Sequence, residues 1–245
     1  MIRCYLNGDR SGGESVELDG AESNHLAGAL RVRPGERIGW LDGKGHFGEA
    51  EVIVAHKRRT SIRILTRQEA TPFAPRRILA QALVREQRMD WLIQKAVELG
   101  VHEIWPLQTE HALVKIRLEA AEKKAARWQA IALAACKQSG NPWLPRMAPV
   151  RSLADALAAL RDLEGAACFG ALQEGAVPLP QYFGRLREAG CPQISAFIGP
   201  EGDFSPKEVD MLRAAGLQPV TFGPMVFRVE TAALFILSAM QYAWL

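Results

Sequence analysis

The groups in this 245-residue chain that could do chemistry lie in two loops rich in glycine and proline. The first is Ile198-Gly199-Pro200-Glu201-Gly202-Asp203-Phe204-Ser205. It leaves an apolar run of strand length and enters a helix opened by the capping box Ser205-Pro206-Lys207-Glu208, with proline at the first helical position. Open α/β sheets bind ligands at such strand ends, and glycine there lets the backbone approach a ligand closely. The second loop, Phe222-Gly223-Pro224-Met225-Val226-Phe227-Arg228-Val229-Glu230-Thr231, follows the next strand and also enters a helix. Two such loops at consecutive strand ends can wall one pocket; the alternative is a pair of connections whose glycines only turn the chain. Gly43-Lys44-Gly45-His46-Phe47-Gly48 matches G-x-G-x-x-G letter for letter. A dinucleotide fingerprint must open a helix, however, and Phe47–Val54 alternates as a strand, so this segment reads as a hairpin turn.

Basic residues supply a second class of candidates. His56-Lys57-Arg58-Arg59 lies between two strand-like runs with Arg63 beyond, and Arg31 and Arg33 end a helical segment. Phosphate contacts from such groups position RNA without reading its sequence; a solvated turn is the other reading. Lys123, Lys124 and Arg127 read as a solvated helix face, and Trp128 and Trp143 as packing. The charge is uneven along the chain. Residues 73–150 carry 12 Lys/Arg against 7 Asp/Glu, while residues 151–245 carry 7 against 10. A basic middle joined to an acidic end suggests one face for a polyanion. Cys4, Cys136, Cys168 and Cys191 form no C-x-x-C pair, and the histidines show no metal spacing, so neither a disulfide scaffold nor a metal site is expected. Charged residues from Arg3 onward break any signal peptide. The most apolar stretch, Thr231–Leu245, is too short to span a bilayer, which takes about 20 residues. A soluble, cytoplasmic protein with no membrane partner is expected.

Around the candidates the chain reads as two regions. Residues 1–72 hold short strands at Ile2–Leu6, Ser15–Leu18, Arg37–Leu41, Phe47–Val54 and Ser61–Gln68, with one helical segment at Ser23–Leu30, which argues a small β-barrel or sandwich. Thr71–Pro75 reads as a linker. Strands and helices then alternate: strands at Ile78–Val84, His102–Leu107, Ala166–Ala171, Ile194–Ile198 and Pro219–Phe222, helices at Arg88–Leu99, Leu118–Lys137, Ser152–Leu160, Ser205 to near Gly216, and Thr231–Leu245. That alternation means an α/β domain over residues 73–245 with a mainly parallel sheet. The last helix is apolar nearly all round and must be buried, within the subunit or against a partner.

These residues carry a resemblance. Both loops, together with Gln94-Lys95-Ala96-Val97-Glu98-Leu99-Gly100-Val101, Asn24-His25…Leu30-Arg31-Val32, Leu41-Asp42-Gly43, Gln138-Ser139-Gly140 and Leu144-Pro145, resemble the family of 16S rRNA (uracil(1498)-N3)-methyltransferases over essentially the whole chain. The resemblance implies a PUA-like β-barrel at 1–72 that binds RNA. It implies a SPOUT α/β domain at 73–245 with a deep trefoil knot, binding S-adenosylmethionine and forming a homodimer. It also implies a uridine of 16S rRNA in the small ribosomal subunit as target. The chain departs from the family pattern at Asp203, where a second glycine is usual and a carboxylate should be tolerated if it points outward. Further departures are Met225 for arginine, Val229 for threonine, and Lys137 and Asn141 for glutamate and arginine.

The donor cradle implied by the resemblance comprises Ala171, Leu172, Ile198, Gly199, Pro200, Glu201, Gly202, Phe222, Gly223, Met225, Val226 and Phe227. The implied RNA clamp comprises Arg3, Arg10, His25, Arg31, Lys57, Arg58 and Arg59. Uracil N3 carries a proton and is a poor nucleophile until that proton leaves. A cation against O4 or O2 would stabilise the developing anion, a role assigned to Arg228, with Glu230 accepting the proton or orienting Arg228. An ordinary ion pair near the last helix's N-terminus is the alternative. A nicotinamide oxidoreductase is disfavoured because Gln81–Arg85 offers no glycines. A non-catalytic RNA-binding module would lack donor binding.

Overall fold

The computed structural model describes residues 1–7, 15–171 and 175–245. Arg10 and Leu172 therefore lie outside the described residues. The chain forms two compact units, Met1–Pro72 with Leu133–Leu144, and Phe73–Ala132 with Pro145–Leu245.

The first unit is built on a mainly antiparallel sheet of β1 (Arg3–Tyr5), β2 (Ser15–Glu17), β3 (Arg37–Leu41), β4 (His46–Val54), β5 (Ser61–Ile64) and β6 (Gln68–Glu69), with helix α1 at Gly20–Ser23. The order is β1-β3-β4-β5-β2, with β6 on β4, an open path between β1 and β2. Alternate residues face one core, where Val16, Leu18, Ile38, Trp40, Ala50, Val52 and Ile62 are buried, as the two-residue strand period requires. Leu41 pairs with Phe47 across the Gly43–Gly45 turn, so the glycine motif is a hairpin. The expected strand Ser61–Gln68 breaks after Ile64, because Leu65 and Thr66 donate to the Glu49 carbonyl before β6 begins. After α1 the chain makes a π-helical turn, Asn24–Ala29, closed by the Leu30 amide donating to the His25 carbonyl. Residues 133–144 are integral to this unit. Lys137 Nζ pairs with Glu22 Oε1 at 2.6 Å, with both side chains largely buried, and Glu22 Oε2 accepts the Tyr5 amide. Trp143 lies over Gly45, where a Cβ would come within 2.3 Å of the indole.

The second unit is a parallel sheet in the order β10-β8-β7-β13-β11-β14-β12, with β9 on β8. Its strands are β7 (Arg76–Ala82), β8 (Glu103–Gln108), β9 (Arg146–Met147), β10 (Arg151–Ser152), β11 (Ala166–Gly170), β12 (Val177–Pro178), β13 (Gln193–Ile198) and β14 (Gln218–Thr221). The helices are α2 (Glu86–Glu98), α3 (Leu118–Ser139), α4 (Leu153–Arg161), α5 (Leu179–Glu188), α6 (Pro206–Ala214) and α7 (Val229–Ala243). Helix α5 lies where the sequence reading placed no element. Its buried Leu179, Tyr182 and Phe183 have helical spacing, so the signal was present. One core cluster joins Ile78, Ala80, Trp105, Phe169 and Phe197 of the strands to Leu153, Leu157, Val209 and Leu212 of α4 and α6. Helix α7 packs against α2, α5, β7 and β13. It is not buried all round: Ala233, Ile236, Leu237 and Met240 are buried, whereas Phe235 and Tyr242 are exposed. Lys124 and Arg127 of α3 form ion pairs with Glu86 and Asp90 of α2 rather than a purely solvated face.

The amino-terminal edge of this sheet is stitched by charge. Glu103 is 2% exposed and accepts from Trp105 Nε1 at 2.7 Å, Arg76 Nη2 at 2.7 Å and the Arg146 guanidinium. Beside it His102 Nδ1 accepts the Arg77 amide, and burial with the neighbouring Arg77 and Arg76 charges lowers its pKa to about 4.

Candidate active site

The opposite, carboxyl edge of the same sheet carries the two loops. The β13–α6 loop is set by the capping box read from sequence: Ser205 Oγ accepts the Glu208 amide and Glu208 Oε2 accepts the Ser205 amide. Glu208 Oε1 also accepts the Glu110 amide, tying the segment after β8 to α6. From that segment His111 Nδ1 lies 3.1 Å from the carbonyls of both Gly202 and Asp203. Asp203 has φ +59, a left-handed conformation that L residues adopt at a cost, which accounts for glycine being usual there. Its Oδ1 accepts the Phe204 amide at 2.8 Å. The carboxylate does not point freely outward: Asp203 is partly buried on the cavity wall, and a Cβ on Gly199 would come within 3.2 Å of its Oδ1. The β14–α7 loop turns at Gly223 with φ +111, a value that favours glycine, and Thr221 Oγ1 accepts the Gly223 amide.

The loops enclose a cavity of about 410 Å³, within the range of small-molecule sites. Ala171, Ile198, Gly199, Pro200, Glu201, Phe222, Gly223, Met225, Val226 and Phe227 line it as expected from sequence. Gly202 does not line it; this residue backs onto His111 instead. Gly170, Asp203, Arg228, Val229, Ala232 and Arg88 complete the wall. Phe222 and Phe227 stack at 6.1 Å between centroids, and Phe235 closes the cluster. Met225 and Val226 form an apolar lip, 71% and 74% exposed.

Arg228 is the N-cap of α7 and exposed; among the described residues no carboxylate lies within ion-pair distance of it. The ordinary Arg228–Glu230 ion pair, the alternative to a catalytic role, is not among the ion pairs of the described residues. Glu230, in the first turn of α7 and outside the cavity wall, has Oε1 at 4.0 Å from Arg88 Nε, and its buried Oε2 has no hydrogen-bond partner. Arg88 Nη1 also reaches Glu201 Oε1 at 3.4 Å. Sequence reasoning missed Arg88, although the residue falls in the first turn of a helix that follows a strand of the same edge. Burial raises the thiols of Cys4, Cys136 and Cys168 to about 12, so none is a thiolate nucleophile at neutral pH. Among the described residues no group of three or more His, Cys, Asp and Glu could hold a metal, and no helix is long and apolar enough to cross a membrane.

In the first unit the basic candidates fall into different settings. Lys57, Arg58 and Arg59 are exposed on the β4–β5 turn, which is joined to the helical segment by the Thr60 amide donating to Ser23 Oγ. Arg59 also pairs with Glu17. Arg31 is exposed, with φ +56, at the end of the π-helical turn, and His25 is half-buried within it. Arg3 has an internal role: its Nη1 donates to the carbonyls of Lys137 and Gln138, capping the end of α3.

A parallel sheet with a glycine-lined cavity at its carboxyl edge, accompanied by a separate small β unit, defines a two-unit α/β class with a small-molecule-sized site in the larger unit. Comparison with known families resolves the class. The RNA methyltransferase domain model matches residues 72–241, and the RNA methyltransferase PUA domain model matches residues 18–65. Ribosomal RNA small subunit methyltransferase E of Aquifex aeolicus is 30% identical over 98% of this chain and 99% of its own length. That of Bacillus subtilis is 28% identical over 93% and 90%. A Neisseria gonorrhoeae ribosomal RNA small subunit methyltransferase E bound to S-adenosyl methionine superposes with a TM-score of 0.87, at 32% identity, covering 100% of this chain and 98% of that one. A Legionella pneumophila putative methyltransferase in complex with SAM superposes with 0.88, at 31% identity and 99% and 97% coverage. The chain belongs to the ribosomal RNA small subunit methyltransferase E family.

Proposed function

We propose that this chain methylates N3 of uridine 1498 of 16S rRNA, within the small ribosomal subunit, using S-adenosylmethionine. The observation that carries the reading is the cavity at the carboxyl edge of the parallel sheet, with Arg228 on its wall and free of any described carboxylate partner. The residues fit the donor. Gly199 and Gly170 are positions where a Cβ would crowd Asp203, Phe204 and Phe222, the wall offers aromatic faces for a purine, and Glu201 and Asp203 supply counter-charge for a cation. When bound, the donor supplies an electrophilic methyl group on a positively charged sulfur.

The protein's part is positioning and electrostatics, which contribute much of the barrier reduction in group transfer. Ala171, Leu172, Ile198–Glu201 and Phe222–Phe227 hold the donor. Arg228 places its guanidinium against a uracil carbonyl oxygen and stabilises the anion formed as N3 gives up its proton; Glu230 takes that proton, or orients Arg228 while solvent water takes it. Arg3, Arg10, His25, Arg31, Lys57, Arg58 and Arg59 form the RNA clamp on a PUA-like β-barrel at residues 1–72. Residues 73–245 form the SPOUT domain, with its C-terminal segment threaded as a trefoil knot. The exposed Phe235 and Tyr242 of α7 support a homodimer. We place the protein in the cytoplasm, with no membrane and no metal.

The test is methylation of small subunits lacking this modification by purified protein with labelled donor, followed by reverse transcription. N3 methylation blocks the pairing edge, so label with one new stop at the target is the expected result. Donor binding without label refutes the RNA target, and absence of donor binding refutes the cavity assignment. Arg228→Ala is expected to lower single-turnover methylation by about 10²–10³-fold, the loss typical of removing an electrostatic clamp. An unchanged rate removes Arg228 from the mechanism.

A further inference from the structure

We propose that Arg88 is a positioning residue of the transfer site, holding the two cavity loops in register through Glu201 and Glu230. The inference rests on the donor-site reading above. Three elements far apart in the chain meet at this guanidinium. Arg88 stands in the first turn of α2, on a rigid helix that follows the central strand β7. Glu201 belongs to the β13–α6 loop and Glu230 to the turn that closes the β14–α7 loop. Arg88 Nη1 lies 3.4 Å from Glu201 Oε1, and Arg88 Nε lies 4.0 Å from Glu230 Oε1. Among the described residues no other cation lies within ion-pair distance of either carboxylate.

Two like charges at one edge of a cavity repel, and each carries a loop that forms part of the donor wall. The Glu230 side chain is only 15% exposed and its Oε2 is buried without a donor, so losing the one nearby cation leaves an uncompensated carboxylate beside the cavity. A planar guanidinium can address two carboxylates from fixed directions, which an ammonium on a flexible stem does less well. Arg88 and Glu230 both stand in first turns of helices, whereas Glu201 rides on the β13–α6 loop, so the guanidinium ties that loop to the start of α7, where the β14–α7 loop ends. The cavity wall is therefore preorganised before any ligand arrives, and preorganisation appears as affinity.

The test is calorimetric binding of S-adenosylhomocysteine, the demethylated counterpart of the donor, to the full-length protein, with thermal melting of every variant to verify folding. Arg88→Met is expected to weaken binding about tenfold, and Arg88→Lys to recover part of that loss. In a Glu201→Gln/Glu230→Gln background the further change Arg88→Met should cost little, because the contacts through which it acts are already gone. Arg88→Met binding with wild-type affinity overturns the proposal. So does an equal tenfold loss in the double-glutamine background, which makes Arg88 a direct ligand contact. If Arg88→Met does not fold, Glu230→Gln decides, since Glu230 pairs with Arg88 but does not line the cavity: a loss of a few-fold supports the clamp and an unchanged affinity overturns it. Wild-type protein that fails to bind S-adenosylhomocysteine refutes the donor site itself, a result distinguishable from all of these.

Discussion

Asp203 offers a quantitative test of how the donor loop is held. Its left-handed backbone, φ +59, disfavours residues with a Cβ by about 1–2 kcal/mol, and less for Asp than for Ala because a short polar side chain bonds locally. That local bond is visible, Oδ1 accepting the Phe204 amide at 2.8 Å, and a net hydrogen bond is worth about 1 kcal/mol. Asp203→Ala keeps the left-handed backbone and loses the bond that offsets it, a cost of about 1 kcal/mol. Asp203→Gly loses the same bond but relieves the backbone, so the two terms cancel to within about 1 kcal/mol. For a protein of this size 1 kcal/mol shifts Tm by about 2–4 °C, so Asp203→Ala should melt about 2–4 °C lower and Asp203→Gly close to wild type. Urea unfolding should show the same order in midpoint with no change in slope. Equal stability of the Ala and Gly variants would refute the account, because both lack the side-chain bond and differ only in the cost of the left-handed backbone.

Other outcomes follow from sites away from the cavity. Glu103→Ala removes the acceptor of the buried Trp105 Nε1 and separates two partly exposed arginines from their carboxylate; after discounting the exposed pairs, a loss of about 2–4 kcal/mol is expected in urea unfolding. His102 has a folded pKa of about 4, below its unfolded value near 6.5, so the unfolded chain binds the proton first. Its contribution is complete above about pH 6.5 and is lost on acidification toward 4, by at most about 1.4 kcal/mol per pH unit; His102→Gln should flatten stability in that window. Arg31→Ala and Arg58→Ala are each expected to flatten the log-affinity slope for RNA against salt by about one. Arg3→Ala should also lower the melting temperature of the free protein, since it uncaps α3.

Local rules made much of the α/β rhythm legible. Ser205-Pro206-Lys207-Glu208 gave the start of α6 because a capping box acts within four residues, and Gly43–Gly48 read as a hairpin because its flanks alternate. The first unit's sheet was readable as strands, but the split after Ile64 was not, because it depends on amides meeting a carbonyl of another strand. Helix α5 carried its apolar spacing in plain view and was passed over. The cavity wall followed from two loops at the ends of strands consecutive in sequence, β13 and β14, with β11 between them in the sheet, yet Arg88 was invisible: it meets Glu201 across 113 residues and no short-range pattern marks it. That Glu230 meets Arg88, a cation from another element, was likewise beyond a reading that considered only its sequence neighbour Arg228. The attachment of residues 133–144 to the first unit was equally out of reach, since Arg3 reaches its carbonyl partners across 134 and 135 residues.

That attachment bears on the order in which the chain can be made and folded. A growing chain emerges N-terminus first, at about 5–20 residues per second. The strands of the first unit are complete at Glu69, but Glu22 waits for Lys137, Arg3 for the carbonyls it caps, and the Gly43–Gly45 turn for Trp143. Until residue 144 has been synthesised, the first unit has one buried carboxylate without its cation and an uncovered hairpin, while β7, α2 and β8 of the second unit are already available to pair. The small unit comes first in sequence but closes only after part of the large one has been translated. A nascent chain arrested at Pro72 should therefore be far more open to proteases than one arrested beyond Leu144.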